Sequence, residues 1–187
     1  LRSIVTVKAS EVVRTVLRRR WKILVPVGLA GAGLLALLAI GVFGVHTLFF
    51  DRVADDAPPV FASGAAAASV ATVAEGDFID RSHPGEGRAV VLTDGTSERF
   101  LRFEDFRTDN GPDLNVYLTT GPADGDSGSF DDDFIDLGDL RGNVGPQNYA
   151  IPEGVDLDRY DTVVVWCVRF GSAFTAADLA PVGAEAG

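Results

Sequence analysis

The hydrophobic and polar positions divide this chain into stretches of different character. Residues 23–50 contain no Lys, Arg, Asp or Glu, and residues 51–75 are rich in Ala, Ser and Pro. From residue 76 onward, short apolar runs alternate with turns that contain Gly, Pro, Asp or Asn. The pattern predicts a basic N-terminal segment (1–22), a transmembrane helix (23–50), a linker (51–75), a β-rich domain (76–180) and a tail (181–187).

The uncharged run is long enough to cross a bilayer, which requires about 20 apolar residues in a helix. Arg18, Arg19, Arg20 and Lys22 precede the run, and Asp51 follows it. Because basic flanks stay on the cytoplasmic side, we expect a single-pass protein of the cell membrane with a cytoplasmic N-terminus and an extracytoplasmic C-terminal domain. The run also exceeds the roughly 7–15 residues of a cleaved signal sequence, which favours a signal anchor.

The region after residue 76 has the periodicity of β-strands. Leu114, Val116 and Leu118 alternate with Asn115 and Tyr117, which is typical of a strand with one buried face. The pattern predicts strands at 77–80, 88–93, 98–103, 113–119, 134–137, 148–151 and 162–170.

Turn residues join these stretches, and helical signals are rare among them. Asp94-Gly95 is a strong hairpin signal, and only residues 175–179 favour a helical turn, with Thr175 as its cap. Many short strands without long helices predict an all-β fold, a compact antiparallel β-sandwich or barrel-like domain that follows one transmembrane α-helix.

The charge of the chain is unevenly distributed. The net charge is −11, yet residues 1–22 hold seven basic side chains and one acidic side chain, and the residues after 50 hold nine basic and 26 acidic ones. An acidic domain repels phosphates, which argues against a nucleic-acid partner. A membrane explains the basic N-terminal segment better, and we expect a lipid bilayer to be the partner of residues 23–50, which would cross it.

Acidic residues and one histidine suggest other sites, none of which the sequence establishes. The acidic run 124–133 fails the EF-hand pattern, so a solvated turn and a different calcium loop both remain open. Glu104 and Asp105 point to opposite faces of a strand and would not converge as a catalytic pair. The sequence contains no G-x-S-x-G motif, so it gives little support to Ser-His-Asp catalysis. His83 lies in a turn, and both a plain loop position and a role as ligand or proton carrier remain open.

Cys167, the single cysteine, lies in the apolar run VVVWCVRF and admits three interpretations. It is a small buried side chain of a central strand covered on both faces, a reactive thiol, or a metal or haem ligand. On a regular strand Arg169 would share its face and favour the thiolate. One Cys and one His83 are too few ligands for zinc.

Four blocks of the sequence together resemble the DM13 domain, in a membrane-anchored, bacterial-type form. They are GDFIDRSHPGEGRAVVL, FLRFEDFRTDNGPDLNVYLTTG, LGDLRGNVGPQNYAIP and YDTVVVWCVRFGSAFTAADL, in this order between residues 75 and 179. The resemblance implies a β-rich extracytoplasmic module that belongs to an electron-transfer or redox system. It also implies that the cysteine of the WC block, here Cys167, is the candidate active residue.

The resemblance predicts a function that needs a second protein, since no cofactor is identified. Cys167 would cycle between a thiolate and a sulfenate or a mixed disulfide with a protein partner. Arg169 would favour the thiolate, and Trp166 would close the opposite face of the strand. The alternative is a non-catalytic cell-surface binding or adhesion module that uses loops 107–113 and 121–133. Whether the chain is an enzyme stays open.

Overall fold

The computed structural model describes residues 21, 24–27, 29–38, 50–64 and 70–183. The chain divides into two compact units, Leu1–Val45 and His46–Gly187. In the first unit, residues 24–27 and 29–38 are helical. The second unit contains the β-strands.

The first unit does not support the predicted transmembrane helix over residues 23–50. Among the residues that the structure describes, no helix is both long enough and apolar enough to cross a membrane. Residues 23, 28 and 39–49 of that prediction lie outside the described residues. So do residues 1–20 and 22 of the basic segment 1–22, residues 65–69 of the predicted linker and residues 184–187 of the predicted tail.

The second unit is built from strands that form two five-stranded antiparallel sheets. The strands are β1 (Ala71–Asp77), β2 (Ile79–Asp80), β3 (Gly85–Thr93), β4 (Arg99–Thr108), β5 (Leu114–Thr119), β6 (Phe134–Asp139), β7 (Gln147–Ile151), β8 (Thr162–Cys167), β9 (Ser172–Asp178) and β10 (Ala180–Pro181). The first sheet has the order β10-β1-β3-β4-β7, and the second has the order β2-β9-β8-β5-β6.

The two sheets enclose one apolar core, to which nearly every strand contributes. Leu101 and Phe103 of β4 face Val116 and Leu118 of β5 in this core, and all four are 0% exposed. The predicted all-β antiparallel sandwich is therefore confirmed, and the sheets do not close into a barrel.

Strand β8 lies at the centre of the second sheet and is buried on both faces. Val163, Val165 and Cys167 face the core between the sheets. Val164 and Trp166 face outward into a second apolar cluster, which Phe130 of the β5–β6 loop covers. The continuous apolar run thus has the physical cause predicted for it, a central strand covered on both sides.

The helical turn predicted over residues 175–179 is wrong, because residues 175–178 form the C-terminal part of β9. Ala176 and Ala177 pair with Val164 and Val163 of β8. The Thr175 hydroxyl donates to a carbonyl oxygen of β2 at 2.7 Å instead of capping a helix. Pairing with a buried strand outweighs the helix preference of two alanines.

The structure also differs from the linker predicted over residues 51–75. Residues 50–61, named here the strap, lie against the β domain, where the Ala54 amide donates to the Val144 carbonyl at 2.8 Å. Phe61 is 2% exposed and packs edge-on against Phe100, with ring centroids 5.2 Å apart. Strand β1 begins at Ala71, so the domain boundary predicted at residue 76 lies inside a strand.

The backbones of the strap and of the β6–β7 loop approach each other closely at Gly145. A Cβ atom on Gly145 would lie 2.2 Å from the Ala54 carbonyl oxygen, and Gly145 has φ +96°. Only glycine fits such a position, because it has neither a side chain nor the steric penalty of positive φ. Composition alone does not reveal this contact between distant segments.

Candidate functional site

The candidate site is centred on Cys167, the last residue of β8. The side chain is 0% exposed and lies in the core between the sheets. Across the second sheet, Cys167 lies opposite Leu114 of β5 and Ser172 of β9. It is a free thiol, held between two neighbouring strands at the end of the central one.

Residues 109–113, named here the cover loop, connect β4 of the first sheet to β5 of the second and contact the thiol. The Cys167 thiol donates a hydrogen bond to the Pro112 carbonyl oxygen, with Sγ and O 3.2 Å apart. The Asp113 carbonyl accepts from the Val168 amide at 3.0 Å. Asp113 has φ 68°, a left-handed conformation that is costly for a residue with a side chain.

The cover loop closely approaches the aromatic ring of Phe174 on β9 at Gly111. A Cβ atom on Gly111 would lie 2.7 Å from the ring's Cζ and 3.1 Å from a methyl carbon of Leu114. Any larger residue at position 111 must therefore displace either the ring or the loop.

His83, in the turn between β2 and β3, contacts the same ring. The His83 imidazole stacks on Phe174 with ring centroids 3.7 Å apart and an interplanar angle of 23°. Its Nδ1 lies 3.0 Å from a carboxylate oxygen of Asp109, the first residue of the cover loop. The structure thus brings His83, the cover loop and Cys167 to one end of the sandwich.

Arg169 does not lie where a regular strand would put it. Strand β8 ends at Cys167, and the chain turns over residues 168–171, where the Phe170 and Gly171 amides donate to the Cys167 carbonyl at 3.2 and 2.9 Å. The expectation that Arg169 shares a strand face with Cys167 is therefore wrong. The turn instead exposes Phe170, whose side chain is 68% accessible.

The surroundings favour the neutral thiol. Burial raises the pKa of the Cys167 thiol above its ordinary value, and the Asp113 carboxylate acts in the same direction. Backbone amides of Phe170 and Arg169, and the weaker effect of the Arg169 charge, lower this pKa without reversing the shift. In the closed structure the thiol is therefore protonated at neutral pH and a weak nucleophile.

A cleft of about 540 Å³ opens beside the His83–Asp109 pair. Its other charged lining residues are Asp51 of the strap, Glu86 of β3 and Arg107 of β4. Arg107 lies 3.7 Å from Asp51, so its charge is already partly balanced. The cleft thus adjoins the outer surface of the cover loop.

Two of the other acidic candidates, Asp133 and Glu104, have structural partners. Asp133 accepts hydrogen bonds from Tyr160 and Arg159, and these bonds lower the pKa of its carboxyl. Glu104 lies 3.3 Å from Arg88, and the neighbouring Asp105 has φ 50°. Among the described residues, no group of three His, Cys, Asp or Glu side chains could hold a metal ion.

Sequence reasoning singled out Cys167 but missed the residues that cover it. The sequence leaves His83 as an isolated turn residue, places Asp109 and Gly111 only in the candidate binding loop 107–113, and gives Phe174 no role in a site. The signal was present in the blocks quoted above, where SHPG, DNGPD and SAF are separated by long stretches of chain. Only the fold shows that these three short segments meet.

Comparison with known proteins gives one match. The family model described as "Electron transfer DM13" matches residues 77–179, which is more than half of the chain and includes the whole cover loop, His83 and Cys167. No curated protein and no solved structure matches the chain significantly.

Proposed function

The chain belongs to the DM13 family of electron transfer domains, and we propose that it is a membrane-anchored, extracytoplasmic redox module that acts through Cys167 with a partner protein. The observation that carries this proposal is the position of the single cysteine inside the matched range. It lies beneath a loop that spans the two sheets and contacts both the thiol, through Pro112, and His83, through Asp109. A thiol held in this way is protected at rest and becomes usable once the loop moves.

The proposed chemical step is thiol–disulfide exchange with a disulfide of the partner. When the cover loop opens, the Cys167 thiol gives its proton to solvent, and the thiolate sulfur attacks one sulfur of the partner disulfide. The partner S–S bond breaks, a Cys167–partner S–S bond forms, and the second partner sulfur leaves as a thiolate. A further thiolate then attacks the mixed disulfide and releases Cys167 as a thiolate, which takes up a proton again.

The membrane anchor in this proposal rests on the sequence. The basic residues Arg18, Arg19, Arg20 and Lys22 stand before an uncharged run that ends at Phe50, and Asp51 follows. This order of charges is typical of a segment whose N-terminal flank stays in the cytoplasm. An oxidising compartment on the other side would suit a thiol that exchanges with disulfides.

The burial of the thiol supports a second candidate, a cell-surface binding or adhesion module without redox chemistry. Cys167 is fully buried, and its raised pKa favours the unreactive form. In a binding module it would serve only as a small apolar side chain. The loops 107–113 and 121–133 would then form the contact surface.

Trapping of mixed disulfides in cells separates the two candidates. Cells making the full chain are quenched with acid, alkylated and compared with cells making Cys167→Ser on non-reducing gels. We expect a reducible adduct that Cys167→Ser lacks. The control variant is Cys167→Ser combined with Ser127→Cys, which places a thiol on an exposed 3₁₀ turn (Ser127–Ser129).

The control decides whether an adduct is specific to the site. A partner joined to Cys167 but not to the exposed thiol at position 127 supports the redox proposal. If Cys167 forms no adduct, or only those that the position 127 thiol also forms, the binding module is the better assignment.

A further inference from the structure

Access to Cys167 requires part of the structure to move. The thiol is 0% exposed, and its hydrogen bond to the Pro112 carbonyl places the cover loop directly on the sulfur. A disulfide of another protein must come within bonding distance of that sulfur before exchange. The frequency of cover-loop opening therefore limits the rate of the proposed reaction.

The cover loop is held at its first residue by a side-chain contact. The Asp109 carboxylate meets His83, and the neighbouring Asn110 amide donates to the Phe50 carbonyl. The side chain of Asp109 is 58% exposed and that of His83 is 35% exposed, so water reaches this contact. Beyond the loop, Thr108 ends β4 and Leu114 begins β5, and both of these residues are buried.

His83 is a firm anchor because its own backbone is tied to β9. The His83 amide donates to the Phe174 carbonyl at 3.1 Å, and the Ser82 amide donates to the Ala173 carbonyl at 3.0 Å. The imidazole stacks on the same Phe174 ring that Gly111 approaches from the cover loop. Loop and anchor thus meet on one ring of the second sheet.

From this arrangement we propose that His83 is a positioning residue for the redox site, which through Asp109 sets how often the cover loop exposes Cys167. The inference rests on the proposed function and adds its regulation by pH. An imidazole changes its charge between about pH 5 and 8. Protonated His83 and ionised Asp109 form a charge-assisted bond that holds the loop closed, and the neutral imidazole retains only a weaker hydrogen bond.

Charged groups reach His83 from several elements. Asp51 of the strap, Glu86 of β3, Arg107 of β4 and Asp109 of the cover loop line the same cleft, whereas β9 contributes the uncharged ring of Phe174. Of these groups, only Asp109 lies in the segment that covers the thiol and makes a direct contact with the imidazole. Loss of the imidazole charge therefore favours opening, and access to Cys167 increases with pH.

The test measures thiol labelling of the full chain with a small disulfide reagent between pH 5.5 and 8. Each rate is divided by the rate of the denatured chain at the same pH, which removes the effect of thiol ionisation in the open state. Because Cys167 is the single cysteine, all of the signal comes from this site. We expect the ratio to rise about two- to fivefold across this range, the size typical of an exposed ion pair.

Two variants test whether His83 and Asp109 cause the rise of the labelling ratio with pH. His83→Phe keeps an aromatic ring on Phe174 and removes the ion pair, while Asp109→Asn keeps the shape of the partner and removes its charge. Both are expected to raise the ratio at pH 5.5 to the level reached at pH 8 and to flatten the profile. Arg159→Gln is the matched control, since it removes an exposed ion pair with Asp133 in loops beyond the opposite end of β8.

Hydrogen exchange of the Val164 amide and urea denaturation are measured on each variant to separate loop opening from unfolding. A flat wild-type profile overturns the inference, and so does a profile that both variants leave unchanged. Labelling that follows global unfolding in every variant overturns it as well. The proposed function fails separately, when Cys167 forms no site-specific adduct in cells although the pH profile behaves as expected.

Discussion

At the scale of single residues, the environment of Cys167 determines what its thiol does at rest. Apolar packing raises the pKa of the thiol, and the Pro112 carbonyl accepts a hydrogen bond from its S–H group, so both effects favour the neutral form. This site therefore differs from that of a reactive cysteine, whose thiol is exposed and has a lowered pKa. The chemistry that the family description implies therefore requires a structural change first.

The pH dependence of stability reports on this thiol. The pKa of Cys167 is higher in the folded protein than in the unfolded chain, so above about pH 8.5 the unfolded chain loses its proton first. The free energy of unfolding is thus unaffected by this group at lower pH and decreases as the pH rises above that value. Urea denaturation from pH 7 to 9.5 should show this decrease in wild type and a smaller one in Cys167→Ala.

The two proteins are compared by how steeply the free energy of unfolding falls with pH, because Cys167→Ala also removes core volume and so changes the absolute free energy. Tyr117 and Tyr149 have raised pKa values too, but they titrate above this range. Equal slopes in the two proteins would mean that the thiol ionises as easily in the folded protein as in the unfolded chain.

At the scale of elements, the strap changes the definition of the domain. Most of it falls in the predicted linker 51–75, yet it buries Phe61 against β4 and adds a hydrogen-bonded segment beside Val144. It also carries Asp51 to the cleft next to the cover loop. The β domain is therefore larger than its strands alone, and its N-terminal segment adjoins the candidate site.

Substitution of Phe61 tests whether the strap contributes to folding. Phe61→Ala removes a ring that is 2% exposed and should lower the free energy of unfolding by about 3 kcal/mol. Val60→Ala, next to it and 83% exposed, should change this free energy by less than about 0.5 kcal/mol. Urea denaturation of the full chain measures both. A loss of equal size in the two variants would show that the strap does not hold Phe61 in the core.

At the scale of the whole molecule, charge separates the N-terminal segment from the β domain. Seven basic residues stand before residue 23, and 26 acidic residues stand after residue 50. This asymmetry underlies the proposed orientation, in which the β domain lies outside the cytoplasm.

Labelling with a membrane-impermeant maleimide in intact cells tests this orientation. A thiol at position 127, introduced as Ser127→Cys with Cys167→Ser, should react without lysis. A thiol at position 10, introduced as Ser10→Cys with Cys167→Ser, should react only after the membrane is permeabilised. The reverse pattern contradicts the orientation, and labelling of both thiols only after lysis contradicts an extracytoplasmic domain.

The fold class can be predicted from the amino-acid sequence, because alternation of polar and apolar residues, turn signals and a continuously apolar central strand are local patterns. The same holds for the buried character of β8, and the quoted blocks were enough to suggest the family. Residues 175–179 mark the limit of local patterns, since their alanines favour a helix until β8 offers pairing partners.

The environment of the cysteine, in contrast, arises from contacts between segments that are distant in sequence. Three segments far apart in sequence, with His83, Asp109 and Phe174, meet at the end of β8 because the chain crosses between the two sheets there. Whether a thiol is reactive depends on its exposure and on the charges around it, and both arise from these long-range contacts. The residue best suited to chemistry, Cys167, was thus visible in the sequence. The protonation of its thiol and the loop that covers it depend on the fold.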